Sequence, residues 1–263
     1  MEGRIIQTIM KTKTGLLITF SLLSVSLCLP MKANAQTSKS SITAATLNWK
    51  VTRSGELKYQ LYLPPDYKPG GKERWPLMLF LHGAGERGTD VKRVAIHGPL
   101  SMVKQGTNFP FIIVAPQCPA NQTWDSEALI QLLDETERKY AVDTNRVYLT
   151  GLSMGGYGTW KLGLAQPERF AALVPICGGG NMIDVILGPR DKPAAIKSLP
   201  IWAFHGAKDD VVPVEESERM VGQLKKLGVK DVKLTIYPEA KHNSWTETYN
   251  NPELYEWLSK QSR

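Results

Sequence analysis

The sequence predicts an α/β protein, built on a mostly parallel sheet of eight-stranded type with helices on both faces and no large lid domain. Three observations carry this. From Thr46 onward strand-like and helix-like stretches alternate, which is the pattern that parallel crossovers impose. Residues 76–81 and 111–114 are short unbroken apolar runs, as strands buried on both faces require. Between 146 and 165 a strand-like run passes into a helix-like one through a glycine-rich turn.

Taken in order, 46–53 and 57–63 read as two opening strands, forming a hairpin that turns at Ser54-Gly55 and ends at Pro64-Pro65. The buried strands 76–81 and 111–114 follow. Residues 126–140 space Leu129, Leu132, Leu133, Thr136 and Tyr140 along one helical face, with Asp125 or Ser126 placed to cap it. Next come a strand at 146–150, a helix at 154–165 and strands at 170–176 and 201–204. A helix at 216–227 then turns Met220, Leu224 and Leu227 inward, a last strand fills 232–237, and a helix closes the chain at 252–260. The stretch 178–199, with its Gly178-Gly179-Gly180 run, reads as a loop holding one short helix, too short for a lid domain.

At 263 residues the chain suits one domain of this class. Lys11 and Lys13 precede an apolar run over 15–29, and Ala33-Asn34-Ala35 supplies a small-residue cleavage pattern. Residues 1–35 therefore read as a signal peptide cut after Ala35, with Gln36 opening a single domain over 36–263. The run is too short for a stable membrane span, and a secreted or periplasmic workplace follows. The formal charge falls from +7 to +4 once Arg4, Lys11, Lys13 and Lys32 leave with Glu2. No basic stripe interleaved with aromatics remains, which argues against nucleic acid as a partner. Cys118 and Cys177 are the two cysteines left, read as two buried thiols or one bridge. No cysteine or histidine pair has metal-ligand spacing, so no metal and no cofactor is expected.

Gly151-Leu152-Ser153-Met154-Gly155 fits G-x-S-x-G, in which a sharp strand-to-helix turn lifts a serine above the sheet edge. The pentapeptide alone is weak. Its setting strengthens it, because 146–150 runs in as a strand and a helix opens at Met154. A serine hydroxyl needs a base, and the base needs a third group to fix its tautomer. Of His82, His97, His205 and His242, only the last two follow the serine, as the order serine, acid, histidine demands. His205 ends a strand directly before Gly206, where a backbone-turn role is the natural reading. His242 stands after the last strand, where the base has to sit. Asp209 and Asp210 compete for the acid on the loop after 201–204, and Asp209 is favoured. Backbone N–H groups of Ala84 and Met154 are the candidate oxyanion donors. His82 and Glu86 are expected to brace the 81–88 loop without touching substrate.

These residues also resemble a known family. Leu-His-Gly-Ala-Gly-Glu-Arg-Gly at 81–88, Ala-Pro-Gln-Cys-Pro at 115–119 with Trp124, Gly-Leu-Ser-Met-Gly-Gly-Tyr-Gly at 151–158 and Pro-Ile-Cys-Gly-Gly-Gly at 175–180 carry the likeness. Phe-His-Gly-Ala-Lys-Asp at 204–209 and Lys-His-Asn-Ser-Trp at 241–245 complete it. Together they look like the predicted-peptidase and phospholipase/carboxylesterase branch of the α/β hydrolases, similar to feruloyl and acetyl xylan esterases. The resemblance implies Ser153, Asp209 and His242 as triad and Ala84 and Met154 as oxyanion positions. Trp124 and Trp245 resemble cleft-lining aromatics that stack on a sugar or an aryl acyl group, core packing being the rival for each. The expected partner is a small-molecule or polysaccharide-borne ester. The alternatives are a serine peptidase of prolyl-oligopeptidase type and a non-catalytic binding protein on a hydrolase scaffold.

Overall fold

A computed structural model describes residues 44–48, 50, 52 and 54–263. The chain divides into two units, Met1–Thr52 and Arg53–Arg263. The described residues of the first unit belong to no helix or strand. The signal-peptide reading of 1–35 and the start of the domain at Gln36 lie outside the described residues.

The second unit holds seven strands: β1 (Tyr59–Tyr62), β2 (Trp75–Leu81), β3 (Ile112–Pro116), β4 (Val142–Leu152), β5 (Ala172–Ile176), β6 (Ile201–Gly206) and β7 (Val232–Tyr237). They form one sheet in the order β1-β3-β2-β4-β5-β6-β7. Every neighbouring pair is parallel except β1 with β3. The helices are α1 (Pro99–Lys104), α2 (Ser126–Lys139), α3 (Met154–Ala165), α4 (Met182–Asp191), α5 (Pro193–Ser198), α6 (Glu215–Lys226), α7 (Trp245–Asn250) and α8 (Pro252–Ser259).

Strand β2 shows why the sheet is buried on both faces. Leu77, Leu79 and Leu81 join one apolar cluster with Leu129 and Leu133 of α2, Trp160 and Leu162 of α3 and Met220 and Leu224 of α6. The alternate residues Met78 and Phe80 join a second cluster with Leu100 of α1, Tyr249 of α7 and Leu254 and Trp257 of α8. Period-two alternation thus sends successive side chains into separate cores, and a run with no polar side is the result.

Two sequence expectations are corrected. Of 46–53 the described residues are in no strand, and β1 pairs antiparallel with β3, from Tyr59 with Pro116 to Tyr62 with Ile113. The stretch 178–199 is two helices. Asn181 caps α4 by accepting the Ile183 N–H at 3.2 Å, Pro193 opens α5, and Val185 and Ile196 bury themselves under them. The triple glycine hid the apolar residues that follow it.

Candidate active site

The register of the parallel strands brings their C-terminal ends to one edge. Leu81 stands beside Gly151, Leu152 beside Ile176, Ile176 beside Phe204 and Gly206 beside Tyr237. Ser153, Asp209 and His242 each follow one of those ends, on the turns after β4, β6 and β7. Open parallel sheets place ligands at this edge.

Ser153 has φ 53° and ψ −117°, a backbone region that non-glycine residues rarely adopt. The strained turn is locked from both sides. Ser153 N–H donates to the Ile176 carbonyl at 2.9 Å, and the Ser153 carbonyl accepts the Tyr157 N–H at 3.0 Å. Gly155 is required by crowding, because a Cβ there would run into the Leu81 carbonyl.

Ser153 Oγ lies 2.9 Å from His242 Nε2, and His242 Nδ1 lies 2.8 Å from Asp209 Oδ2. The other carboxylate oxygen, Oδ1, accepts the N–H groups of Val211 and Val212, each at 2.9 Å. Burial pushes the Asp209 carboxyl up, but the bonds from His242, Val212 and Val211 outweigh it and hold the group below its ordinary range. It therefore stays an acceptor that fixes the proton of His242 on Nδ1. Asp210 is exposed. Trp245 stands edge-on to the His242 ring, centroids 5.4 Å apart.

Sequence reasoning missed a side-chain role for His205. Its imidazole is fully buried, with Nε2 2.9 Å from the Val212 carbonyl and 3.2 Å from Asp209 Oδ2. Its Nδ1 lies 2.7 Å from Ser217 Oγ, which in turn lies 3.1 Å from the Gly178 carbonyl. Two oxygens face Nε2, so the network assigns a proton there. The readable signal was a histidine four residues before the acid.

The loop after β2 is pinned at four consecutive carbonyls. His82 Nδ1 donates to Gly83 O at 2.6 Å, Arg87 Nε to Ala84 O at 3.0 Å, Arg93 Nη2 to Gly85 O at 2.5 Å and Gln117 Nε2 to Glu86 O at 2.8 Å. His82 Nε2 accepts the Cys118 N–H at 3.0 Å, so the ring is neutral with its proton on Nδ1. Burial lowers its pKa further. A carbonyl and the following N–H share one peptide plane. The His82 bond to Gly83 O therefore sets the direction of the Ala84 N–H, as the Tyr157 bond to Ser153 O sets that of Met154. The loop and Ser153 are adjacent, since a Cβ on Gly83 would lie 3.6 Å from Ser153 Cβ.

Trp124 is 5% exposed, donates its indole N–H to the His82 carbonyl at 3.3 Å and packs on the His82 ring at 4.8 Å. Of the two sequence readings of Trp124, cleft stacking and core packing, this burial fits packing behind the loop. Trp245 is half-buried beside the base. Cys118 and Cys177 are buried and unbridged. Among the described residues, Cys177, Asp209 and His242 bring metal-ligand atoms within 4.8 Å of one another. Burial pushes the Cys177 thiol up to about 12, which makes it a poor thiolate ligand, and the other two are hydrogen-bonded to each other.

Sheet, strained serine turn and edge cluster define an α/β hydrolase. Residues 119–258 match the phospholipase/carboxylesterase family, and the chain belongs to that family. Over 165 residues it is 28% identical to a bifunctional acetylxylan esterase/xylanase of Neocallimastix patriciarum, across 60% of this chain and 22% of that protein. Over 148 residues it is 31% identical to an uncharacterized peptidase of Bacillus subtilis, across 45% of this chain and 22% of that protein. The crystal structure of a thermostable esterase superposes with TM-score 0.65 at 38% identity, covering 79% of this chain and 60% of that one. The chain thus spans only about a fifth of the length of these two curated relatives. No helix among the described residues is long and apolar enough to cross a membrane.

Proposed function

We propose that this is an exported carboxylic-ester hydrolase that works through an acyl-enzyme on Ser153, with His242 as general base, Asp209 as its orienting acid and the Ala84 and Met154 N–H groups as oxyanion hole. The reading rests above all on the unbroken hydrogen-bonded line from Ser153 Oγ through both nitrogens of His242 to a buried carboxylate. Ser153 Oγ bonds to the ester carbonyl carbon as its proton passes to His242 Nε2, and the carbonyl electron pair moves onto oxygen, facing the two N–H groups. The intermediate collapses, the C–O bond to the alcohol breaks, and His242 returns the proton to the departing oxygen. Water then repeats the sequence on the acyl-enzyme and frees Ser153. His205 keeps Asp209 in place as a positioning residue.

Short or aromatic acyl groups, of acetyl or feruloyl type and including those borne on polysaccharides, suit the site better than long chains. The segment 178–199 folds into two short helices, which leaves no lid-length surface on which a long chain would bury about 0.8 kcal/mol per methylene. Amide cleavage is the second reading, favoured by the likeness to the Bacillus peptidase. An amide nitrogen must be protonated in a closely registered complex, whereas an alkoxide leaves with less help. Export to the periplasm or medium, a leader over 1–35 and a single domain over 36–263 rest on the sequence pattern. The test compares kcat/KM on acetyl, butyryl, dodecanoyl and feruloyl esters with a matched peptide anilide. Acetyl or feruloyl esters should lead; preference for the anilide or the dodecanoyl ester would overturn the reading.

A further inference from the structure

Beside the triad, one carboxylate is only half used. Glu86 is 7% exposed, and its Oε2 accepts the Gly83 N–H at 3.0 Å. Its Oε1 faces His97 Nε2 at 3.9 Å. That separation is too long for a hydrogen bond. It is nevertheless the gap that a single oxygen fills, lying about 2.7–2.9 Å from each atom, donating its hydrogen to the carboxylate and accepting from Nε2–H. The Glu86 side chain is 10% exposed and that of His97 39%, so the gap opens to the cleft, where a substrate hydroxyl can take the place of a water.

The pair is joined to the catalytic centre. His97 packs on Trp245 with ring centroids 5.3 Å apart, and Trp245 stands against the ring of His242. On the other side, a Cβ on Gly83 would lie 3.3 Å from Glu86 Oε2 and 3.6 Å from Ser153 Cβ. Glu86 Oε2 and Ser153 Cβ are thus no more than about 7 Å apart. The departing alcohol takes its proton from His242, so it occupies the His242 side of the nucleophile, where Trp245 and His97 stand.

We propose that Glu86 and His97, with Trp245 as the apolar wall, form a subsite for a hydroxyl of the ester's alcohol part, which directs the enzyme to esters of polyols and sugars over those of simple alcohols. The proposal rests on the ester-hydrolase reading above and adds its alcohol specificity. A neutral hydroxyl fits better than a cationic alcohol, because it uses both members of the pair. The His97 N–H meets its lone pair, while an ammonium group would have only the carboxylate to bind and would sit against that same N–H.

The experiment measures kcat/KM for the acetyl esters of ethanol, glycerol and a methyl pentoside, in the wild type and in Glu86→Gln and His97→Phe. The wild type should favour the glycerol and pentoside esters over ethyl acetate by at least tenfold. Both variants should reduce that ratio by at least fivefold, mainly through KM, because glutamine turns an NH₂ toward the cleft and phenylalanine keeps the stack on Trp245 but loses the donor. Since Glu86 also braces Gly83, His97→Phe decides the matter if Glu86→Gln melts at lower temperature. A ratio near one in the wild type, or one that both folded variants leave unchanged, overturns the subsite. So does a response confined to hydroxyls on the acyl part. If the wild type cleaves none of the three esters, the ester-hydrolase reading itself fails, and the subsite with it.

Discussion

Oδ2 of Asp209 lies 3.2 Å from Nε2 of His205, a second buried imidazole on the carboxylate that already holds His242. Asp209 thus accepts from three donors, His242 and the Val211 and Val212 backbone, with His205 Nε2 beside it as a polar neighbour. His205 is anchored in turn by the Val212 carbonyl and Ser217. Replacing it with phenylalanine keeps the volume and removes a polar N–H from beside the carboxylate, an effect of about 1 kcal/mol, so kcat should fall about fivefold with KM little changed. In an Asp209→Asn background the same change should add almost nothing. Full additivity in that double-mutant cycle would reduce His205 to a packing residue.

The two neighbouring aspartates should separate sharply. Asp209→Asn favours the wrong imidazole tautomer and should lower kcat on the order of 10⁴-fold. Asp210→Asn, on an exposed side chain, should change it less than twofold. Steady-state kinetics on one soluble ester decides between them, and reversed effects would assign the acid to Asp210.

Burial lowers the pKa of His82, and Arg87 and Arg93 lower it further against the opposing pull of the Gly83 carbonyl and Glu86. Unfolded, the imidazole binds a proton near its ordinary value of 6.5, while the folded ring stays neutral to lower pH. The unfolded state therefore holds more protons in that window, and stability is full above 6.5 and declines as pH falls below it. Urea unfolding at pH 7.5, 6.5 and 5.5 should show the decline in the wild type and a shallower one in His82→Gln. Parallel slopes would show that His82 is protonated in the folded protein.

Much of this was legible in the chain. The strand pattern around 76–81 and 146–150 announced the parallel sheet because both faces are buried, and the glycines at 151 and 155 announced the serine turn because close backbone approach admits nothing larger. Chain order narrowed the candidate base to His205 and His242 and the candidate acid to Asp209 and Asp210. What the sequence hid depends on contacts between distant segments. The pinning of residues 83–86 by Arg87, Arg93 and Gln117, the second histidine on Asp209 and the burial of Trp124 behind His82 have no local signature. The helices within 178–199 were hidden by the glycine run before them.

The cysteines give a test independent of catalysis. Cys118 and Cys177 are unbridged and buried, with the Cys177 thiol pushed up to about 12 and Cys118 pushed up as well. Neither should react with Ellman's reagent at pH 8 in the native enzyme, and both should react on unfolding in guanidinium without reductant. A requirement for reductant would mean a disulfide.

Labelling with a fluorophosphonate, followed by peptide mapping, addresses the nucleophile itself. The probe should modify the wild type stoichiometrically at Ser153 and at no other residue. Ser153→Ala should keep the wild-type melting temperature, lose labelling and lose turnover by a factor on the order of 10⁶. A folded Ser153→Ala protein that still labels, or still hydrolyses ester near the wild-type rate, would contradict the assignment of Ser153 as nucleophile.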